Sequence, residues 1–135
     1  GTGVIATVLA QAHPGRAIYA SDQSAAAVTS ARATADANGV GDQITVVRDN
    51  MLAQLPDASV GFIALNPPFH SGAAVTDAIA PRMFADAARV LRPGGELWTV
   101  WNSALQYRPA LERLVGPTRQ VARNGKFTVT ASTRH

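Results

Sequence analysis

The apolar run VGFIAL, residues 60–65, stops at Asn66-Pro67-Pro68-Phe69. Proline has no N–H and a fixed φ, so the pair ends strand pairing and stiffens the loop that follows. Stiffness aims the Asn66 side-chain oxygen and the Pro67 carbonyl in one direction. Two acceptors held this way suit the two hydrogens of a substrate –NH2 group, leaving its lone pair to face an electrophile. Phe69 is placed to stack on the planar ring that carries the amine. Read this way, the tetrapeptide is a preorganised amine clamp; the plainer reading is a chain terminator. Other polar residues fall at comparable places. Gly1 and Gly3 open the first helix, where missing side chains let a ligand approach the backbone beside a helix N-terminus. Asp22, about 20 residues on, stands where an acid accepts hydrogen bonds from ribose hydroxyls. Asp49 and Asn50 follow ITVVR, and Asn102 follows ELWTVW. Singly, these residues read as helix caps and turns. Together they mark one sheet edge and a nucleoside-containing cofactor.

The elements that must position these residues are legible from periodicity. Val4, Ile5, Val8 and Leu9 recur at helical spacing before the break at His13-Pro14-Gly15. AIYA is a short strand, and Ser24 offers an N-cap for an alanine-rich helix ending at Asn38-Gly39. ITVVR and VGFIAL are strands, the second apolar on both faces, as a strand covered by helices on both sides should be. Ile79, Met83, Phe84, Ala87, Val90 and Leu91 form one helical stripe that ends before Arg92-Pro93-Gly94-Gly95. ELWTVW is the next strand, with Trp98 expected in the core. A helix from about 106 to 115 then precedes RQVAR and KFTVTAST, joined by the hairpin signal Asn124-Gly125. This alternation predicts an α/β doubly wound, Rossmann-like domain with a mostly parallel sheet and a C-terminal antiparallel hairpin. In open parallel sheets ligands bind beyond the carboxyl ends of the strands, the edge the polar residues share.

At 135 residues, 47% hydrophobic and 16% charged, the chain has the profile of one globular domain over residues 1–135. No apolar run approaches the roughly 20 residues of a bilayer helix, so a soluble cytoplasmic protein without a membrane partner is expected. Without cysteine there is no disulfide, thiol nucleophile or Cys-type zinc site, and His13, His70 and His135 lack metal-ligand spacing, so no metal is expected. The net charge of +3 is unevenly spread. Residues 1–77 hold three arginines against six aspartates, whereas residues 78–135 hold nine basic groups against three acidic ones. A polyanion such as RNA would favour the second half, although solvated arginines on helix faces give the same count.

The segments NPPFH, MFADAARVLRPGGELWTVWN and NGKFTV closely resemble the S-adenosylmethionine-dependent ribosomal RNA guanine-N2 methyltransferases, of the small-subunit methyltransferase C type and its large-subunit relative. The resemblance covers essentially the whole chain. It implies a class I methyltransferase fold of seven strands. Its first strand is missing from this chain, which would be incomplete at its N-terminus, with a gap left in the core. It implies S-adenosyl-L-methionine as cofactor and ribosomal RNA or a pre-ribosomal particle as partner, and leaves the oligomer unknown. Carried over, Asn66, Pro67, Pro68 and Phe69 match the catalytic tetrapeptide, and Gly1, Gly3, Asp22, Asp49 and Asn50 the cofactor site. His70, Asn102 and Lys126 are candidate substrate contacts; Lys126 and Phe127, beside the hairpin turn, could line the substrate entrance, although the plainer reading of Phe127 is a core strand residue. Trp101 and Ser103 stand where the family has a small residue and an arginine. The rival readings are transfer to adenine N6 or a protein glutamine, a nicotinamide-dependent oxidoreductase, and a non-catalytic module that binds RNA or a partner.

Overall fold

A computed structural model describes residues 2–22, 25–47, 52–67, 74–103 and 105–135. The elements are α1 (Thr2–Ala12), β1 (Ile18–Ser21), α2 (Ala25–Ala37), β2 (Ile44–Val47), a 3-10 turn (Leu52–Gln54), β3 (Val60–Leu65), α3 (Ala74–Val90), β4 (Leu91–Asn102), α4 (Arg108–Leu114), β5 (Thr118–Arg123) and β6 (Phe127–Thr133). They form a six-stranded sheet in the order β2-β1-β3-β4-β6-β5. The first four strands in that order are parallel and the hairpin β5-β6 joins β4 antiparallel.

The gap expected in the sheet is not found among the described residues. β1 and β3 pair directly in parallel, Ile18 opposite Phe62 and Ser21 opposite Leu65. Two facing strand edges inside a sheet would leave rows of unpaired N–H and C=O groups, and pairing them removes that cost. Each face of the sheet buries its own core. Beneath α3 and α4 lie Leu65, Phe84, Leu91, Leu97, Trp101 and Leu111, with Ile63 and Val90. Beneath α1 and α2 lie Ile18, Ala20, Val28, Val46, Phe62 and Ala64, among small helix residues. Of the stripe expected on α3, Met83, Phe84, Ala87 and Val90 are buried, even though Pro81 removes one helical N–H; Leu91 is buried as the first residue of β4, and the Ile79 side chain lies outside what is described.

Two expectations need correction. On α1 the buried face is Ala6, Leu9 and Ala10, while Val4 and Val8 are exposed. Small residues share the interior with Leu9 where α1 comes close to α2. A Cβ added at Gly3 would lie 2.6 Å from Ala31 Cα. On β4, Trp98 is half-buried, packed at the margin of the α1/α2 core with its indole N–H donating to Glu96. The buried tryptophan is Trp101, whose N–H donates to the Thr130 hydroxyl at 3.2 Å. β4 also begins earlier than ELWTVW. Val60 pairs with Leu91 and Phe62 with Glu96, so residues 92–95 are looped out opposite Gly61. Gly94 takes φ 82°, and a Cβ on Gly95 would lie 2.8 Å from the Gly61 carbonyl. The two glycines are what permit this close turn. Among the described residues no helix is long and apolar enough to cross a membrane.

Candidate active site

The parallel ladder carries Asp22 and Asn66 to the same edge. Asp22 N–H donates to the Val47 carbonyl at 3.1 Å and Asn66 N–H to the Ser21 carbonyl at 3.3 Å. Each residue therefore stands one position beyond a paired strand end, with its backbone fixed. Their side chains meet: Asn66 Nδ2 donates to Asp22 Oδ1 at 3.4 Å. Asp22 is 6% exposed and Pro67 is buried, whereas Asn66 is half-buried. Because the amide nitrogen is turned to the carboxylate, the amide oxygen points away from it.

Two cavities open at this edge. One, of about 390 Å³, is lined by Val4, Ile5, Asn66, Val100, Phe127 and Val129. Apart from Asn66 its side chains are apolar, the kind of surface that accepts a flat ring with few directed polar contacts. The second, of about 120 Å³, lies between α1 and α2 and is lined by Gly3, Val4, Asp22, Ala27, Ser30, Ala31 and Thr34. Val4 borders both, so the exposed valine of α1 stands between the acid side and the amide side of the edge.

The described candidate residues are thus brought to one edge to different degrees. Asn66 and Asp22 are in contact, and Gly3 lines the Asp22 cavity. Gly3 also has a packing task against Ala31, which its sequence position alone does not reveal. Asn102 ends β4 and pairs across the strands with Phe127; its carbonyl accepts the Leu105 N–H at 2.9 Å, the turn role that is its plainer reading. Lys126 is exposed beside Phe127, with Nζ 5.3 Å from the ring centroid. Phe127 is half-buried in the wall of the larger cavity rather than a core strand residue. Gly1, Asp49, Asn50, Pro68, Phe69 and His70 lie outside the described residues. Among the described residues no group of three or more His, Cys, Asp or Glu is placed to hold a metal ion.

Sequence reasoning missed Val100 and Val129, which line the larger cavity. Their alternation along β4 and β6 announces a shared face, but nothing in the pattern says that a helix leaves that face open. It also missed the service of Ser103. That residue follows β4 and donates its N–H to the Lys126 carbonyl at 2.9 Å and its hydroxyl to the Asn124 carbonyl at 3.1 Å.

Residues 1–131 match the methyltransferase small domain family. The chain belongs to that family. Among curated relatives, the ribosomal RNA large subunit methyltransferase G of Streptomyces coelicolor is 48% identical over 129 residues, which are 96% of this chain and 34% of that protein. The protein of the same name from Shewanella amazonensis is 42% identical over 131 residues, again 96% of this chain and 34% of that protein. The chain spans about a third of the length of these relatives.

Solved structures similar to this methyltransferase small domain include a Thermus thermophilus 16S rRNA N2 methyltransferase in complex with AdoMet and guanosine. Its TM-score is 0.63 at 24% identity, covering 90% of this chain and 38% of that one. A SAM-dependent methyltransferase from Aquifex aeolicus gives a TM-score of 0.63 at 17% identity, covering 100% of this chain and 78% of that one. At these identities the likeness establishes the fold: an α/β methyltransferase sheet with helices on both faces. In this methyltransferase small domain Asp22 and Asn66 stand at the carboxyl ends of β1 and β3, the edge at which open parallel sheets bind ligands.

Proposed function

We propose that residues 1–135 act as one methyltransferase domain that moves a methyl group from S-adenosyl-L-methionine to an exocyclic amine, guanine N2 of ribosomal RNA presented free or in a pre-ribosomal particle. The observation that carries this reading is the Asn66 amide, fixed at a strand end, tethered to Asp22 and facing a largely apolar cavity of about 390 Å³. The names of the curated relatives support ribosomal RNA as the substrate class.

The chemistry of the donor set suits the cofactor. A nearly buried carboxylate at Asp22 offers acceptors for a ribose diol, and the first turn of α1 beside Gly3 offers N–H groups to an anionic end. Gly1, Asp49 and Asn50 would complete the binding set. When bound, the cofactor would supply an electrophilic methyl on a sulfonium, with a neutral thioether as the leaving group, to the lone pair of the amine that Asn66 and Pro67 would hold; the methylated nitrogen would shed its extra proton to water.

The residues of this chain act on the amine. An aryl amine is a poor nucleophile because its lone pair is delocalised into the ring. Acceptors at Asn66 and the Pro67 carbonyl favour the localised, pyramidal nitrogen as positive charge grows on it, an electrostatic effect of about 3 kcal/mol per key group. Pro67 and Pro68 keep these acceptors from relaxing toward water, and Phe69 would stack on the base. Asn102 and His70 would meet the rest of the substrate. The test is Asn66→Ala. Cofactor affinity should stay nearly intact while turnover falls about a hundredfold or more. Loss of cofactor binding with turnover preserved would contradict the assignment.

A further inference from the structure

The hairpin tip between β5 and β6 carries two cations that the amine chemistry does not employ together, Arg123 and Lys126, both exposed. Three of the other basic residues are committed to carboxylates: Arg89 pairs with Asp57, Arg108 with Glu112, and Arg119 with Glu96. No ion pair with a carboxylate engages Arg123 or Lys126 among the described residues.

The tip is held stiffly. Asn124 Oδ1 accepts the N–H groups of Lys126 at 2.8 Å and Phe127 at 2.7 Å, and Asn124 N–H donates to the Phe127 carbonyl at 2.9 Å. Ser103 then ties this turn to the end of β4. It donates its N–H to the Lys126 carbonyl, and its hydroxyl contacts both the Asn124 carbonyl and the Thr128 hydroxyl. Two exposed side chains on a turn closed from within and anchored from behind are preorganised, which lowers the ordering cost of binding.

The tip also lies on the active edge. Phe127 pairs with Asn102 across the strands and lines the cavity that holds Asn66. β6 is two strands from β3, so at about 4.8 Å per strand the tip begins roughly 10 Å from the amide. Guanine N2 sits on the base-pairing edge, so an enzyme acting on it needs the base unpaired and turned out of any stack. A strand in that state exposes flanking phosphates without a partner strand.

We propose that Arg123 and Lys126 form a phosphate grip for single-stranded RNA, holding the backbone beside the base presented to Asn66, and that Ser103 is a positioning residue that fixes the grip to the site. This deepens the proposed guanine-N2 reading and rests on it. The competing role for cations near an edge strand is to discourage strand-to-strand association.

The test uses the protein at its full natural length, with a fluorescent guanine-containing single-stranded RNA titrated across about 50–200 mM salt, the range over which phosphate contacts register. The double variant R123Q/K126Q is compared with R16Q/R92Q, whose exposed cations lie at the opposite end of the strands. Two lost contacts should flatten the slope of log K against log salt by about 1.4, at roughly 0.7 per contact on single strands. The RNA KM should rise with kcat and cofactor affinity held, and R123K/K126R should recover most of the binding. Ser103→Ala keeps both charges and should raise KM without changing the slope. An R123Q/K126Q slope and KM equal to those of R16Q/R92Q overturn the grip, as does a change confined to self-association; guanine-N2 transfer by the wild type would then leave the reaction standing. A flattened slope without any guanine-N2 transfer would keep the grip and overturn the amine assignment.

Discussion

One methyl group at Gly3 separates two explanations of the glycine that opens α1. Built on the observed backbone, the Cβ of Gly3→Ala meets Ala31 Cα at 2.6 Å and Ala31 Cβ at 2.7 Å. The first of these atoms is main chain, so no side-chain rotation relieves the clash and α1 must move away from α2. Overpacking of this kind costs about 1–3 kcal/mol, and a clash with backbone belongs at the upper end. Alanine recovers up to about 1 kcal/mol through its better helix propensity, less in a first turn. The net expectation is a loss of about 2 kcal/mol, or a urea midpoint lower by about 1 M at an m-value near 2 kcal/mol/M. Trp101 in the core beneath α3 and α4, and Trp98 at the margin of the core beneath α1 and α2, make intrinsic fluorescence a suitable probe. Adding Ala31→Gly to Gly3→Ala removes the Ala31 methyl but leaves the clash with the main chain, so rescue should be partial. A Gly3→Ala protein as stable as the wild type, with cofactor affinity reduced, would refute the packing argument and leave ligand approach as the reason for glycine there.

Further substitutions probe the support of the edge. Arg89 donates to the Leu55 carbonyl at 2.8 Å and the Leu52 carbonyl at 2.9 Å, holding the segment that leads into β3. Its ion pair with the exposed Asp57 adds little, so Arg89→Met should cost about 2–3 kcal/mol while Asp57→Asn stays within about 0.5 kcal/mol, both read by thermal unfolding. Thr99 Oγ1 is buried without a hydrogen-bond partner among the described residues, so Thr99→Val should raise stability by about 1 kcal/mol; a loss would mean that the hydroxyl is satisfied in solution. Trp101→Phe leaves the Thr130 hydroxyl without the indole donor and opens space beside Tyr107, and should lower stability by about 2 kcal/mol in the same assay.

Where one physical rule dominated, the sequence was readable. VGFIAL matches β3 residue for residue because a strand covered on both faces must be apolar throughout, and the two prolines leave it nowhere to continue. Asn124-Gly125 marks the hairpin because an asparagine side chain can close a turn from within, as Asn124 Oδ1 does by accepting the Lys126 and Phe127 N–H groups. The site was legible as an edge, since Asp22 and Asn66 each follow an apolar run. Their contact was not, because it depends on β1 lying directly beside β3. Strand order is set by pairing between segments about 40 residues apart, which local periodicity does not record. On α1 the rule that large apolar residues face inward held for Leu9 and failed for Val4 and Val8: the helix lies close to α2 at Gly3 and Ala31, Ala6 and Ala10 share the interior with Leu9, and Val4 is left to border the cavities.

The two tryptophans of β4 show how period-two reasoning carries further than hydrophobicity. Trp98 and Trp101 are three positions apart, so a regular strand must send them to opposite faces. One face is roofed by α3 and α4, and there Trp101 is buried among Leu97, Tyr107 and Leu111. The other carries Trp98, Val100 and Asn102 opposite Ala131, Val129 and Phe127, and α1 roofs it only in part. Trp98 manages this by donating its N–H to Glu96, with the Arg119 guanidinium 5.6 Å from its ring centroid. The larger cavity is the continuation of that partly roofed face up to Asn66. The same alternation that seals one side of β4 therefore provides, on the other, the apolar floor against which a flat base could be laid.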